Sequence, residues 1–309
     1  MTRWYGVPLR RILRPLLVAA ALVSCIVAVA AERHSLAVAM SRLSPAAVLL
    51  AGAFVLVATV FTMLAWRELL ADLGSPLPVA PAARIFFLSQ LGKYLPGSLW
   101  PVVAQVELGR DHQVPARRSA TAAVLIFAVT LATALVIAAL TLPFSTPGAL
   151  RRYGWAFAAV PLLVVLLHPR VLTPLLARAF RLARREPPEE SLTLRGIARA
   201  AGFAVAAWVG YGMQVMVLVR DLGGTGPAAS VGAVGAFALA WAVGFLVVVI
   251  PAGAGVREAA LVVALSPALP AAGALLVALA SRLLLIMADL SLAGAAVLVE
   301  RRRRPVLAG

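Results

Sequence analysis

Seven long apolar stretches alternate with short polar or arginine-bearing ones: Leu16 to Ala31, Ala46 to Trp66, Ser119 to Leu142, Gly154 to His168, Ala198 to Val219, Ala229 to Ile250 and Ala271 to Val299. A helix needs about 20 apolar residues, at about 1.5 Å each, to cross the hydrocarbon of a bilayer. Most of these stretches meet that length; the first and fourth are short. The fourth runs into Pro169 and Arg170, which points to an end at a membrane interface.

Two further segments are apolar but broken. One reads Gln90-Leu91-Gly92-Lys93-Tyr94-Leu95-Pro96-Gly97-Ser98-Leu99-Trp100, the other Val249-Ile250-Pro251-Ala252-Gly253-Ala254-Gly255-Val256-Arg257-Glu258. Each sets ionisable side chains beside a forced backbone break. Non-helical backbone at membrane depth is tolerated only where protein buries it or a wet cavity receives it. Interrupted segments in corresponding places of two halves are the best sequence pointer to a transport site.

Span parity gives a topology. With the N-terminus inside, four spans return the chain to the cytoplasm at Arg170 if the first broken segment is re-entrant. Arg84 to Leu95 and Leu99 to Leu108 each make about half a bilayer of helix. The expected fold is an all-α polytopic membrane protein of about eight transmembrane helices plus a re-entrant helix pair, in two pseudo-repeated halves. The first half is 1–169, with its broken segment at 84–108, and the second is 200–309, with its broken segment at 249–266. Between them 170–199 reads as a polar cytoplasmic connector, its Pro187-Pro188-Glu189-Glu190 run marking a loop.

Composition supports this class: 62% of the 309 residues are hydrophobic, 13% are charged, and mean hydropathy is +0.98. The net charge of +16 fits arginines holding loops and termini inside the cell rather than a nucleic-acid surface, because no basic–aromatic stripe accompanies it. Arg301 to Arg304 places the C-terminus inside by the same rule. A lone Cys25 and three scattered histidines offer no disulfide framework and no metal set, and no cofactor is expected. Arg10, Arg11 and Arg14 before Leu16 to Ala31 read as the inner flank of an uncleaved first helix, although Ala28-Val29-Ala30 resembles a cleavage site.

The candidate chemistry lies at the breaks. A lysine inside an apolar stretch costs about 2.5–3.5 kcal/mol unless it snorkels or finds a partner. Ser98 can cap a following half-helix, and a lysine beside a helix N-terminus suits a phosphate. Lys93 is therefore a candidate ligand, with Gln90 and Tyr94 beside it. In the second segment Gly255 suits the N-cap of a helix from Val256 to Leu265, and Glu258 suits its third position, reaching back to free amides. Arg257 needs an anion: Glu258, a carboxylate on another helix or a ligand phosphate. Arg282 and Asp289 share one face of the last span, and each calls for a partner on another helix or a cavity. Gln214 reads as an interhelical hydrogen bond. Nucleophile elbows, Walker loops and dinucleotide fingerprints are missing, so an enzyme is not the expectation.

The run Ser89 to Trp100, followed far downstream by Ile250 to Glu258 and by the helix bearing Arg282, resembles the lysylphosphatidylglycerol synthase transmembrane-domain family. In its bifunctional members this domain is associated with moving aminoacylated lipid between leaflets, while a separate cytoplasmic domain makes the lipid. The resemblance implies a stand-alone, flippase-like protein of the inner or plasma membrane without the aminoacyltransferase domain. Its cargo would be a phosphate-containing lipid: an aminoacylated phospholipid, a glycolipid or a polyprenyl-phosphate carrier. Lys93, Arg257 and Arg282 would hold the phosphate. Gln90, Tyr94, Pro96, Gly97, Pro251, Gly253, Gly255, Glu258 and Asp289 would shape and balance the groove. The partners expected are membrane lipids and no nucleic acid, with a further copy of the chain or a lipid-modifying enzyme as candidate protein partners. The competing reading is a membrane enzyme, or its accessory subunit, acting on a phospholipid or polyprenyl-linked sugar.

Overall fold

The computed structural model describes residues 43–95, 100–146, 148–182, 192–246 and 255–303. All regular structure among them is helical: α1 Pro45–Asp72, α2 Val79–Gln90, α3 Trp100–Gly109, α4 Ala116–Thr141, α5 Ala149–Tyr153, α6 Ala159–Leu167, α7 Pro169–Leu182, α8 Leu194–Asp221, α9 Val231–Leu246, α10 Val256–Leu265 and α11 Ala271–Arg303. The stretches α1, α4 (with the 3-10 turn that follows it), α8 and α11 are long and apolar enough to cross a membrane, and the bent pair formed by α6, with the turn before it, and α7 could supply a fifth span. The multi-pass all-α class expected from the sequence is thus the observed one. The expected first span, Leu16 to Ala31, lies outside the described residues.

Two copies of one motif build the bundle. In each, a long helix is followed by a short one, a break, a ten-residue helix and another long helix: α1-α2-break-α3-α4 and α8-α9-break-α10-α11. The leading helices α1 and α8 are both 28 residues long and form the most extensive helix pair. They run antiparallel, and their ends clasp each other reciprocally. Asp221, at the end of α8, accepts from the Ser44 amide and hydroxyl at the N-cap of α1, both at 2.7 Å. Asp72, at the end of α1, accepts from the Thr193 amide at 2.8 Å and hydroxyl at 2.5 Å at the N-cap of α8. Each carboxylate thus meets the positive end of the partner helix, where negative charge is stabilising.

The sequence carries this symmetry in a small repeat, Asp72-Leu73-Gly74 and Asp221-Leu222-Gly223. Both glycines sit at positive φ, +77° and +86°, where the chain turns out of the helix. The Ser75 and Gly224 amides then bond back to Leu70 and Val219 carbonyls, so both helices end in the same left-handed motif.

Each short helix packs on the long last helix of the other half, α2 against α11 and α9 against α4. The halves are therefore interleaved rather than side by side. One apolar cluster gathers around Trp66, Phe86 and Leu125, the other around Phe237, Leu218 and Leu261. Small residues line many of these contacts, as helix packing in lipid favours. At Gly212 an added Cβ would lie 2.6 Å from the Val234 backbone, so α8 and α9 meet almost backbone to backbone.

Three expectations change. The 170–199 connector is not a plain loop: α7 occupies its start and α8 begins at Leu194, leaving 183–191, with the Pro-Pro-Glu-Glu run, outside the described residues. Gly154 to His168 is not one straight span but a 3-10 turn and nine-residue α6, meeting α7 at a 70° bend. Pro169 starts α7, where a missing amide costs nothing, and His168 before it takes the extended conformation, ψ 135°, that ends α6. The second copy of the repeat, finally, begins at the N-cap Thr193, inside the expected connector, and matches the first copy from Ser44 onward.

Candidate functional site

The first broken segment forms a helix–break–helix hairpin with limits slightly shifted from those expected. Helix α2 ends at Gln90, a single 3-10 turn runs from Leu91 to Tyr94, and α3 starts at Trp100. The two arms close on Gly92, where an added Cβ would lie 3.0 Å from Pro101 N and 3.2 Å from Trp100 Cβ. The tightened turn carries Lys93 and Tyr94 off the helix and toward α11. Pro96, Gly97 and Ser98 lie outside the described residues, as do Pro251 and Gly253 of the second break.

Helix α11 receives both breaks. Asp289, 3% exposed, accepts on one oxygen, Oδ2, from Lys93 Nζ at 2.6 Å and from the Tyr94 hydroxyl at 2.5 Å. Arg84 of α2 also reaches α11, pairing with Glu300 at 2.5 Å. At the second break Gly255 N-caps α10 with φ +82°, a conformation costly for a residue with a Cβ. Glu258 reaches back to the Gly255 amide with Oε2 at 2.6 Å, while its Oε1 takes Arg282 Nη1 of α11 at 2.6 Å. The capping role read from the sequence and the cation's need for a carboxylate are met by one side chain.

Arg282 and Asp289 straddle the middle of the apolar 271–300 stretch, about 10 Å apart along the axis. They do not pair with each other. Arg282 pairs with Glu258 beside the second break and Asp289 with Lys93 beside the first, so a single helix receives side chains from both.

Arg257 is placed differently. Its guanidinium lies over the Phe237 ring, 4.7 Å from the centroid, and takes no hydrogen bond or ion pair among the described residues. It lies within electrostatic range of Glu258, Arg282, Tyr211 and Tyr94. Gly244 of α9 makes room for it: an added Cβ there would lie 2.9 Å from Arg257 Cβ. Both carboxylates, Glu258 and Asp289, are bonded to the other two cations, Arg282 and Lys93. Arg257 has Glu258 in electrostatic range but no direct ion pair among the described residues.

The sequence did not single out the residues that seat Arg257. Phe237 stacks on Tyr211, centroids 5.4 Å apart, and Tyr211 lies in electrostatic range of Asp289. The Tyr211 hydroxyl bridges to α1 through Thr59 at 3.2 Å and Thr62 at 3.4 Å. A tyrosine three positions from Gln214 in an apolar span was a usable signal for this polar patch; nothing marked Phe237. Gln214 makes its interhelical bond, donating to Ser281 Oγ at 2.7 Å. Gln90 stands half-buried at the end of α2, with no side-chain bond among the described residues. Among the described residues no group of three His, Cys, Asp or Glu side chains converges as a metal site.

An antiparallel repeat with two broken elements, both tied by ion pairs to one long apolar helix, defines a polytopic membrane protein of the interrupted-helix kind. The lysylphosphatidylglycerol synthase TM region matches residues 15–292, and the chain belongs to that family. This is a membrane domain linked to phospholipid handling. No curated protein matches the chain.

Proposed function

We propose that this protein translocates a phosphate-containing lipid between leaflets, with Arg257 as the principal headgroup ligand. The observation that carries this reading is the Arg257 guanidinium, half-buried at a backbone break on α10 and without a direct ion pair among the described residues. A guanidinium at that depth is costly unless it meets an anion, and a phosphodiester supplies two oxygens in the geometry of its planar fork. Lys93 is a third exposed and Arg282 less; they join the phosphate when their pairs with Asp289 and Glu258 loosen. Gln90, Tyr94 and Gly255 line the headgroup path, while the chains stay in lipid.

A non-enzymatic role is favoured because the chain carries no nucleophile elbow, Walker loop or dinucleotide fingerprint. The same reading puts the protein in the cell membrane, both termini cytoplasmic, handling lipids as substrates beside a lipid-modifying enzyme or a second copy. Reconstituted liposomes with a headgroup-labelled lipid test it. Wild type exchanges label between leaflets without forming a new lipid species; Arg257→Ala stops exchange with an unchanged unfolding transition, and Arg257→Lys restores little. Normal exchange by Arg257→Ala refutes the assignment, and a new lipid species in the wild-type vesicles favours the enzyme.

A further inference from the structure

The site above leaves α7 unexplained. This helix, Pro169–Leu182, departs at 70° from α6, whose Leu162, Val164 and Val165 are more than half exposed. At 100° per residue Leu172, Leu175, Leu176 and Leu182 fall on one arc of α7 about 120° wide; Arg170 and Arg181 lie opposite it, and Arg178 borders it beside Leu182. The apolar arc is divided in use. Leu172 and Leu176 are buried in the first apolar cluster, whereas Leu175 is 43% and Leu182 86% exposed. All three arginines are exposed, and none has an acidic partner among the described residues.

We infer that α7 lies in the headgroup layer and forms a binding surface for anionic phospholipid. Two of its leucines hold it to the bundle, and the other two are exposed, as is the apolar side of α6, which in a membrane protein meets acyl chains. A helix bent away from such a segment, with guanidiniums outside its apolar arc, has the geometry of an interfacial helix. Its arginines then meet lipid phosphates, each gaining on the order of a fivefold preference for an anionic surface. The inference is independent of headgroup translocation and holds or fails without it.

The full-length protein, with Cys25 replaced by serine and Leu182→Cys spin-labelled, is reconstituted in phosphatidylcholine vesicles with and without phosphatidylglycerol. The label is expected to be accessible to oxygen and shielded from a water-soluble nickel chelate. Phosphatidylglycerol retained on purification is then quantified by mass spectrometry. The Arg170/Arg178/Arg181→Gln variant should retain at least tenfold less than wild type, and the corresponding lysine variant should retain nearly as much as wild type. A chelate-accessible label at Leu182 would show an aqueous helix facing loop or protein and overturns the inference, as does equal retention by the glutamine variant. The label measurement keeps all three arginines, so it decides even if the glutamine variant fails to fold.

Discussion

Asp289 in the last helix holds Lys93 in the first break at 2.6 Å, and the same oxygen takes the Tyr94 hydroxyl. The first break is thereby fixed to the second half of the protein, not to its own. Because α2 packs on α11 and α9 on α4, movement of either half must shift the broken segment of the other.

Asp289→Asn should loosen this link. Lys93 is a third exposed and can turn toward an interface, so the cost falls below that of a sealed pair, at about 1–3 kcal/mol. Denaturation in detergent measures it. A cycle with Lys93→Met should show strong coupling; additive losses would mean that the pair contributes nothing to the joint.

Glu258 and Arg282 are better sealed, with side chains 11% and 18% exposed. Glu258→Gln keeps an oxygen for the Gly255 amide but leaves the Arg282 charge unbalanced, at a cost of about 3–5 kcal/mol. Replacing both, Glu258→Leu with Arg282→Met, should recover most of that stability, since a well-packed apolar pair can stand in for a buried ion pair. If the double variant were as unstable as the single one, the cap on α10 would be the larger contribution.

Gly244→Ala bears on placement rather than charge. The added methyl meets the stem of Arg257, Cβ at 2.9 Å and Cα at 3.5 Å, so α9 and α10 must move apart and the guanidinium shifts on the Phe237 face. Headgroup exchange should fall at least tenfold, with a loss of about 1–3 kcal/mol of stability from the overpacking. Exchange at the wild-type rate would separate Arg257 placement from transport.

Gly196→Ala tests the clasp between α1 and α8. A Cβ at Gly196 would fall on the Asp72 carboxylate, which caps Thr193 there. Loss of the clasp should cost about 1–2 kcal/mol. Asp72→Ala should add little more in that background, a non-additivity that a double-mutant cycle reads directly. At the other clasp the equivalent residue is already an alanine, Ala47, whose amide donates to Ser44 Oγ at 3.3 Å, so Ala47→Gly should cost no more than helix propensity, about 1 kcal/mol.

Much of this molecule was legible along the chain, because in lipid the backbone must satisfy itself. Long apolar runs become helices, and proline with glycine breaks them. That logic gave α1, α4, α8 and α11, the hairpin around Lys93, and the start of α10 at Gly255 with Glu258 as its cap. It also required partners on other helices for Arg282, Asp289 and Gln214, which depth alone demands. It read 170–199 as one connector from the Pro-Pro-Glu-Glu run, which lies outside the described residues, and missed that the arginines and leucines at its start make helix α7.

What the chain could not state is which partners are chosen. Lys93, Arg257 and Arg282 look alike as cations in an apolar sequence, yet Asp289 takes the first and Glu258 the third, leaving Arg257 over Phe237. That assignment depends on how the two halves interleave across the α1–α8 pair. Its determinants include the close approaches allowed at Gly196 to Asp72, at Gly210 to Ala58 and at Gly235 to Thr141, and they act between residues far apart in the chain. Local periodicity sets where a helix lies in the membrane, whereas only packing between helices sets which charge meets which.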